Sequence, residues 1–278
     1  MKNIIVPIDF TSVSMNALKY ASKAFPNDRL HLLHVVRSGL NTSEVVPASF
    51  QKMDTTQDKM LIELEKLILL ELDLNEIPET FIINIRKGDI TSQIKEFAIL
   101  KSADCLVMGT KDKYDIFEKA IGSISFATVK TLDIPIYLIP KNSAYNGFKR
   151  VAVATDKDLK ESHFGRKVKD WNKDHNAFVQ FIHVATNEAE SYIEEIDSIA
   201  SDLFEENEPT FAFEIKRTLN KNIKESLLQA AYQFKADLLI TLPQKQSFLG
   251  TLLFKNLTKE LVQNSKVPIL FFDPPKTF

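Results

Sequence analysis

Apolar and polar residues follow two alternating patterns along this chain. Continuous apolar runs rich in β-branched residues occur at 4–8, 29–36, 81–85, 103–108 and 134–139. Between these runs, apolar positions recur every three or four residues, which is the spacing of one helix face. The helical segments are predicted at 15–24, 56–72, 92–100 and 123–131. Strands that alternate with helices predict a parallel, doubly wound α/β sheet of five strands with right-handed crossovers.

The same pattern restarts after a polar segment at 140–147, whose composition is typical of a linker. The segment 148–156 repeats the opening strand, and its Asp156 takes the place of Asp9. Three further runs of the second half repeat runs of the first, namely 180–184, 236–240 and 267–272. We therefore predict two tandem domains of one plan, at 1–142 and 148–278, as produced by a duplication.

Composition narrows the classes of function. The chain has 278 residues, of which 44% are hydrophobic and 26% charged, and this favours a globular protein with a large core. A net charge of −2 provides no basic field for nucleic acid. No signal peptide or run of about 18 apolar residues stands out, so we predict a cytoplasmic protein without membrane contact. Cys105, the single cysteine, excludes an internal disulfide, and His34 is predicted to be an internal histidine with a hydrogen-bonded ring nitrogen.

The stretch after the fourth predicted strand carries the main chemical signal. The apolar run ends at Gly109, a polar loop follows, and Gly122 and Ser123 open the next predicted helix. Ligands of open α/β sheets bind at the carboxyl ends of strands, where helix N-termini present unpaired N–H groups to anions. The stretch therefore predicts a phosphate site.

These features resemble the universal stress protein family, whose nucleotide signature after the fourth strand has the form Gly-x2-Gly-x9-Gly-Ser/Thr. Gly109 matches the first glycine and Gly122-Ser123 the final pair, whereas Asp112 stands at the second glycine. The segments 3–9 and 134–139 are similar to the family as well. The resemblance implies two Rossmann-like, flavodoxin-like universal stress protein domains in tandem.

The resemblance also implies an adenine-nucleotide site in the first domain, with no catalytic and no metal-binding residues. Its residues are Pro7, Ile8, Asp9, Val36, Met108, Gly109, Gly122, Ser123 and Ile124. Those that follow the first two strands are expected to contact adenine and ribose, and those from Gly122 to Ile124 the phosphates. A structural alternative stays open, in which Asp9 caps a helix, Gly109 permits a tight turn and Gly122-Ser123 is another N-cap.

Asp112 determines which nucleotides are expected to bind. A carboxylate about 4 Å from a phosphate charge opposes binding by roughly 4 kcal/mol at an effective dielectric constant near 20. Lys111 and Lys113 flank Asp112, and a divalent cation placed between carboxylate and phosphates reverses the sign. We expect binding of ATP or AMP that is weak, dependent on Mg²⁺ if the ligand is ATP, or confined to AMP-like ligands.

The second half does not keep the signature. Thr241, Leu242 and Pro243 replace Met108, Gly109 and Thr110, and Lys255 and Asn256 take the places of Gly122 and Ser123. Pro243 has no N–H to offer a phosphate. We therefore expect no nucleotide binding of the family's kind in the second domain.

The function implied by the resemblance is regulation during stress, not enzymatic turnover. The alternative is a nucleotide-independent protein-interaction module on the same tandem fold. A slow ATPase ranks last, because only Asp9 or Asp112 is available to position water. The last strands of such domains pair in the family, so we expect the two halves to pair with each other, with a homodimer and an unidentified protein client as further partners.

Overall fold

The computed structural model describes residues 1–37, 57–110, 123–155, 164–186, 192–204, 207–241, 261 and 264–272. The chain divides into two compact units, Met1–Tyr145 and Asn146–Phe278. Both units consist of a parallel sheet whose strands alternate with helices, which confirms the predicted α/β fold class.

The first unit contains five strands and four helices among its described residues. In chain order they are β1 (Asn3–Pro7), α1 (Ser12–Ala24), β2 (Arg29–Val36), α2 (Gln57–Leu72), β3 (Phe81–Lys87), α3 (Ile90–Leu100), β4 (Cys105–Thr110), α4 (Ser123–Thr131) and β5 (Ile136–Pro140). All strand pairs are parallel, in the order β3-β2-β1-β4-β5. The direction of winding reverses between β1 and β4, which is where α/β sheets bind ligands.

The second unit repeats this topology. Its described elements are β6 (Arg150–Thr155), α5 (Phe164–Asn172), β7 (Phe178–Ala185), α6 (Tyr192–Phe204), β8 (Phe213–Leu219), α7 (Ile223–Gln233), β9 (Leu238–Thr241) and β10 (Ile269–Phe271). Their order is β8-β7-β6-β9-β10, again with parallel pairs. The strand β8 was not identified from the sequence, because its polar and charged residues hide the apolar pattern.

The core of the first unit lies on both faces of its central strands. Ile4, Ile5 and Val6 of β1 have no exposed surface. On α1, Ala17 and Leu18 lie four and three residues before Ala21, on the same helix face, and all three are equally buried. Full burial of an aliphatic side chain contributes about 1.5–3 kcal/mol, which explains why continuous apolar runs identified these strands correctly.

Several boundaries predicted for the first unit were wrong by one to three residues, among them those of β4 and α1. β4 does not end before Gly109, because Gly109 pairs with Ile139 and the strand continues to Thr110. Helix α1 begins at Ser12 rather than Met15, because the hydroxyl of Thr11 accepts the N–H of Ser14 at 3.2 Å and forms the N-cap.

The helix C-terminus that precedes the fourth strand has the same conformation in both units. After α3, Ser102 has a φ of 46°, and after α7, Lys235 has a φ of 54°. The N–H of Ala103 donates to the carbonyl of Ala98 at 2.9 Å, and that of Ala236 to Ala231 at 3.0 Å. This is the left-handed helix ending that satisfies terminal carbonyls.

An aspartate that follows each of these helix C-termini forms hydrogen bonds with the backbone at the beginning of a central strand. Asp104 accepts the N–H of Asn3 at 2.7 Å through Oδ2 and donates its own N–H to the Asn3 carbonyl at 2.9 Å. Asp237 accepts the N–H groups of Lys149 and Arg150 at 3.0 and 2.9 Å. The repeated Ala-Asp pairs of the sequence therefore have the same structural role in both units.

We expect Asp104→Ala and Asp237→Ala each to lower the free energy of unfolding by about 1 kcal/mol, because main-chain N–H groups lose an acceptor. Urea unfolding monitored by circular dichroism measures the change. Asp→Asn at the same positions should recover part of the loss, and Glu79→Ala, at an exposed acidic residue, is the control. Unchanged stability in the alanine variants would show that these bonds contribute nothing net.

Candidate functional site

The residues implied by the resemblance lie at the carboxyl ends of neighbouring strands and at the start of a helix. Pro7 ends β1, with Ile8 and Asp9 directly after it, and Val36 ends β2. Met108 and Gly109 lie near the carboxyl end of β4, and Ser123 and Ile124 begin α4. Because β2, β1 and β4 are adjacent, these positions share one edge of the sheet. Gly122, together with residues 111–113, lies outside the described residues.

Asp9 closes the turn between β1 and α1. Its Oδ1 accepts hydrogen bonds from the hydroxyl of Thr11 at 2.6 Å and from the Thr11 N–H at 3.2 Å. Its own N–H donates to Oγ of Ser14 at 3.2 Å. Asp9 is exposed, and its Oδ2 accepts no hydrogen bond from the described residues. One carboxylate oxygen of Asp9 therefore orders the helix cap.

Phe10 adopts an unusual backbone conformation within this turn. Its φ is 63°, in the left-handed region that costs a bulky residue roughly 1–2 kcal/mol. The ring of Phe10 packs edge to face against His34, with centroids 4.8 Å apart. Strained residues of this kind persist where surrounding contacts hold them, and they concentrate at ligand sites.

His34 supports the turn from β2. Its Nδ1 donates to the carbonyl of Ile8 at 2.7 Å, which confirms the predicted internal histidine with a bonded ring nitrogen. Burial lowers the pKa of His34, while the bond to Ile8 and the nearby Asp9 carboxylate oppose that shift. The ring is therefore neutral at pH 7, with its proton on Nδ1.

Gly109 lies where the first turn of α1 packs directly against β4. A Cβ at this position would lie 2.6 Å from Cγ1 of Val13 and 2.7 Å from the Val13 carbonyl oxygen. The idea that Gly109 permits a tight turn was wrong, since the residue belongs to a strand and has no positive φ. Its missing side chain allows helix and strand to pack together.

Two further residues of this edge could not be identified from the sequence. The buried Ser125 of α4 donates its hydroxyl to the Gly109 carbonyl at 3.3 Å, and Val13 forms the close contact with Gly109. Both depend on contacts between remote segments. The Thr11 and Ser14 pair, in contrast, has the three-residue spacing of a helix cap and was within the predicted capping segment.

Other chemistry finds little support. Within the described ranges there is no group of three or more histidine, cysteine, aspartate or glutamate side chains that could hold a metal ion. Cys105 is buried, and burial raises the pKa of its thiol. None of the helices in the described part of the chain combines the length and apolar character needed to cross a bilayer.

Gly109→Ala is expected to lower the free energy of unfolding by about 1–3 kcal/mol, because the added methyl group collides with the backbone of α1. Urea unfolding measures the loss. Val13→Ala in the same chain should restore little of it, since the Val13 carbonyl stays in place. Full recovery in the double variant would assign the constraint to the Val13 side chain instead.

The free energy of unfolding is expected to fall as the pH drops below the ordinary histidine value of 6.5. Burial lowers the pKa of both His31 and His34, with Lys101 and Arg29 adding to the shift at His31. The unfolded chain then binds protons that the folded chain does not, so stability that is complete above pH 6.5 declines below it.

Urea unfolding at several pH values between about 7.5 and 5 checks this dependence on the histidines. The double variant His31→Asn/His34→Asn should show a shallower decline, because it lacks the two groups. The other three histidines are present in both proteins and cancel. Equal slopes would contradict the assignment to His31 and His34.

Comparison with known proteins connects this architecture to a family. The model of the Universal stress protein family matches residues 1–140, half of the chain. No curated protein matches the chain. The solved structure of a universal stress protein from Archaeoglobus fulgidus DSM 4304 is similar over 99% of this chain and 97% of that one, with a TM-score of 0.66 and 14% identity.

A putative universal stress protein from Pseudomonas aeruginosa UCBPP-PA14 is similar over 99% of this chain and 94% of that chain, with a TM-score of 0.61 and 12% identity. At these identities the structural matches show the fold over the full length, and the sequence match shows the family. The chain therefore belongs to the universal stress protein family.

Proposed function

We propose that this protein is a stress-response regulator that binds an adenine nucleotide weakly in its first domain. The observation that carries the proposal is the gathering of three features at the sheet edge where the winding reverses. These features are the ordered Asp9 turn, the close α1–β4 contact at Gly109 and the beginning of α4. Each has a structural role of its own, but together they place polar groups at the carboxyl ends of the strands, where nucleotides bind in open α/β sheets.

The phosphates are assigned to the start of α4. The first N–H groups of a helix have no partner within the helix and carry partial positive charge, so they attract anions. Ser125 donates its hydroxyl to Gly109 and thereby ties the first turn of α4 to the end of β4. This bond supports an orientation in which the N-terminus of α4 faces the carboxyl edge of the sheet.

The ribose and adenine are assigned to the ends of β1 and β2. The Asp9 carboxylate keeps Oδ2 available for ribose hydroxyls while Thr11 holds Oδ1. Val36 is held in place by the bond from the Gly88 N–H to its carbonyl, at 2.9 Å. An ordered carboxylate loses little conformational entropy on binding, which favours affinity.

We propose binding without turnover. The Asp9 carboxylate serves the cap of α1, and among the described residues no histidine or lysine forms a hydrogen bond with it. General base catalysis requires a group within hydrogen-bond reach of the attacking water and oriented by its neighbours. We therefore assign nucleotide occupancy a regulatory role. A homodimer and a protein client stay predictions of the resemblance, and a cytoplasmic location stays a prediction from the sequence.

A protein-interaction module without nucleotide is the second candidate. It is favoured by Asp112 at the second glycine of the signature and by the replaced motif residues of the second domain. A carboxylate at that position repels phosphate charge unless a cation intervenes.

Calorimetric titration of ATP and AMP into the full chain, with and without Mg²⁺, tests the proposal. We expect about one nucleotide per chain in the wild type and none in Gly122→Asp. Asp112→Gly should tighten binding in the absence of Mg²⁺, by up to about a thousandfold, because the repulsion is removed.

Asp9→Asn and Asp156→Asn form a matched pair, since both aspartates follow the first strand of their half. Only Asp9→Asn should weaken binding. Binding by Asp112→Gly but not by the wild type would favour the interaction module. No binding by either protein would overturn the nucleotide site.

A further inference from the structure

We propose that His34 is a positioning residue of the first-domain site, which holds the turn from Ile8 to Phe10 so that Asp9 is presented to the nucleotide. The proposal rests on the proposed function and adds to it a residue that the family signature did not supply. Its basis is the pair of contacts that His34 makes on either side of Asp9.

The chain leaves the sheet at Ile8. The Ile8 N–H still donates to the Leu33 carbonyl at 2.8 Å, as in the ladder before it. Among the described residues, however, the donor to the Ile8 carbonyl is the side chain of His34, at 2.7 Å. A buried carbonyl without a ladder partner is costly, so this side-chain bond makes the departure of the chain from β1 possible.

The second contact of His34 lies beyond Asp9. Phe10 has its φ at 63° and packs against the imidazole with an interplanar angle of 71°. A left-handed conformation at a bulky residue requires contacts that hold it. His34 therefore fixes the residues before and after Asp9, from a strand whose Leu33 pairs with Pro7 of β1.

The second unit offers a comparison at the same register. His183 of β7 pairs with Thr155, the residue that corresponds to Ile8 in the first unit. There the strand β6 continues through Thr155, whereas β1 ends one residue before Ile8. The histidine is thus common to both sheets, but at this register the chain has already left the strand in the first unit, where the nucleotide motif is partly retained, and is still part of the strand in the second.

A set of variants separates positioning from packing. His34→Asn places an amide donor near the position of Nδ1, His34→Gln moves that donor further out, and His34→Leu removes it while keeping the side chain apolar. His183→Leu makes the same change at the matched position of the second unit. All are made in the full chain, and AMP is the ligand.

We expect His34→Leu and His34→Gln to weaken AMP binding about tenfold, the value of one buried hydrogen bond, and His34→Asn to stay within about threefold of the wild type. In ligand-free protein, hydrogen exchange of the amides from Asp9 to Ser14 should accelerate in the first two variants and not in His34→Asn. His183→Leu should lower the urea midpoint without changing affinity. If His34→Leu does not fold, His34→Gln gives the same comparison.

If the wild type binds AMP, the proposed function stands and the role of His34 is tested separately. Unchanged affinity in His34→Gln and His34→Leu would then overturn that role. An equal loss of affinity in His183→Leu would overturn it as well. A wild type that does not bind AMP would overturn the proposed function and the positioning role with it. Failure of His34→Asn to restore binding would show that the imidazole acts through its shape rather than through the Nδ1 bond.

Discussion

The contact between α1 and β4 at Gly109 is the constraint on which the ligand edge of the first domain depends. Val13 lies so close to the strand that no side chain fits between them. That contact fixes the distance between the α1 N-terminus and the sheet. It therefore also fixes the position of the turn that contains Asp9, which leads into α1. The same glycine receives the Ser125 hydroxyl on its carbonyl, so the start of α4 is placed by the same residue. One small residue thus relates two helix starts to each other.

The two units share the features that build the sheet and differ in sequence at positions of the nucleotide signature. The left-handed residues Ser102 and Lys235, and the aspartates that follow them, make corresponding bonds in both units. The sequence differs between the halves at positions of the signature, where Leu242 takes the place of Gly109. Hydrogen bonds to the backbone of a central strand depend on sheet geometry that both units share, whereas residues beyond the strand ends carry no such constraint.

Sequence patterns predicted the strands because burial on both faces requires continuous apolar residues, as in Ile4 to Val6. They also predicted that a hydroxyl caps α1, since the cap is a local interaction. They could not predict the role of Gly109, because its partner Val13 is almost a hundred positions away in the chain and nothing local indicates the contact. His34 was correctly assigned to the interior, but its bond to Ile8 follows from strand register, which single-sequence patterns leave open.

The bond between Asn3 and Asp104 joins residues 101 positions apart, and β1 pairs with β4 across the same separation. Closing so long a loop costs conformational entropy before any contact compensates for it, so such pairings form slowly. On the ribosome, β1, β2 and β3 emerge and can associate well before β4 is synthesised. The carboxyl edge of the sheet is therefore completed late in the biogenesis of the first unit, and until then the N–H and C=O groups of β1 that will pair with β4 have no strand partner on that side.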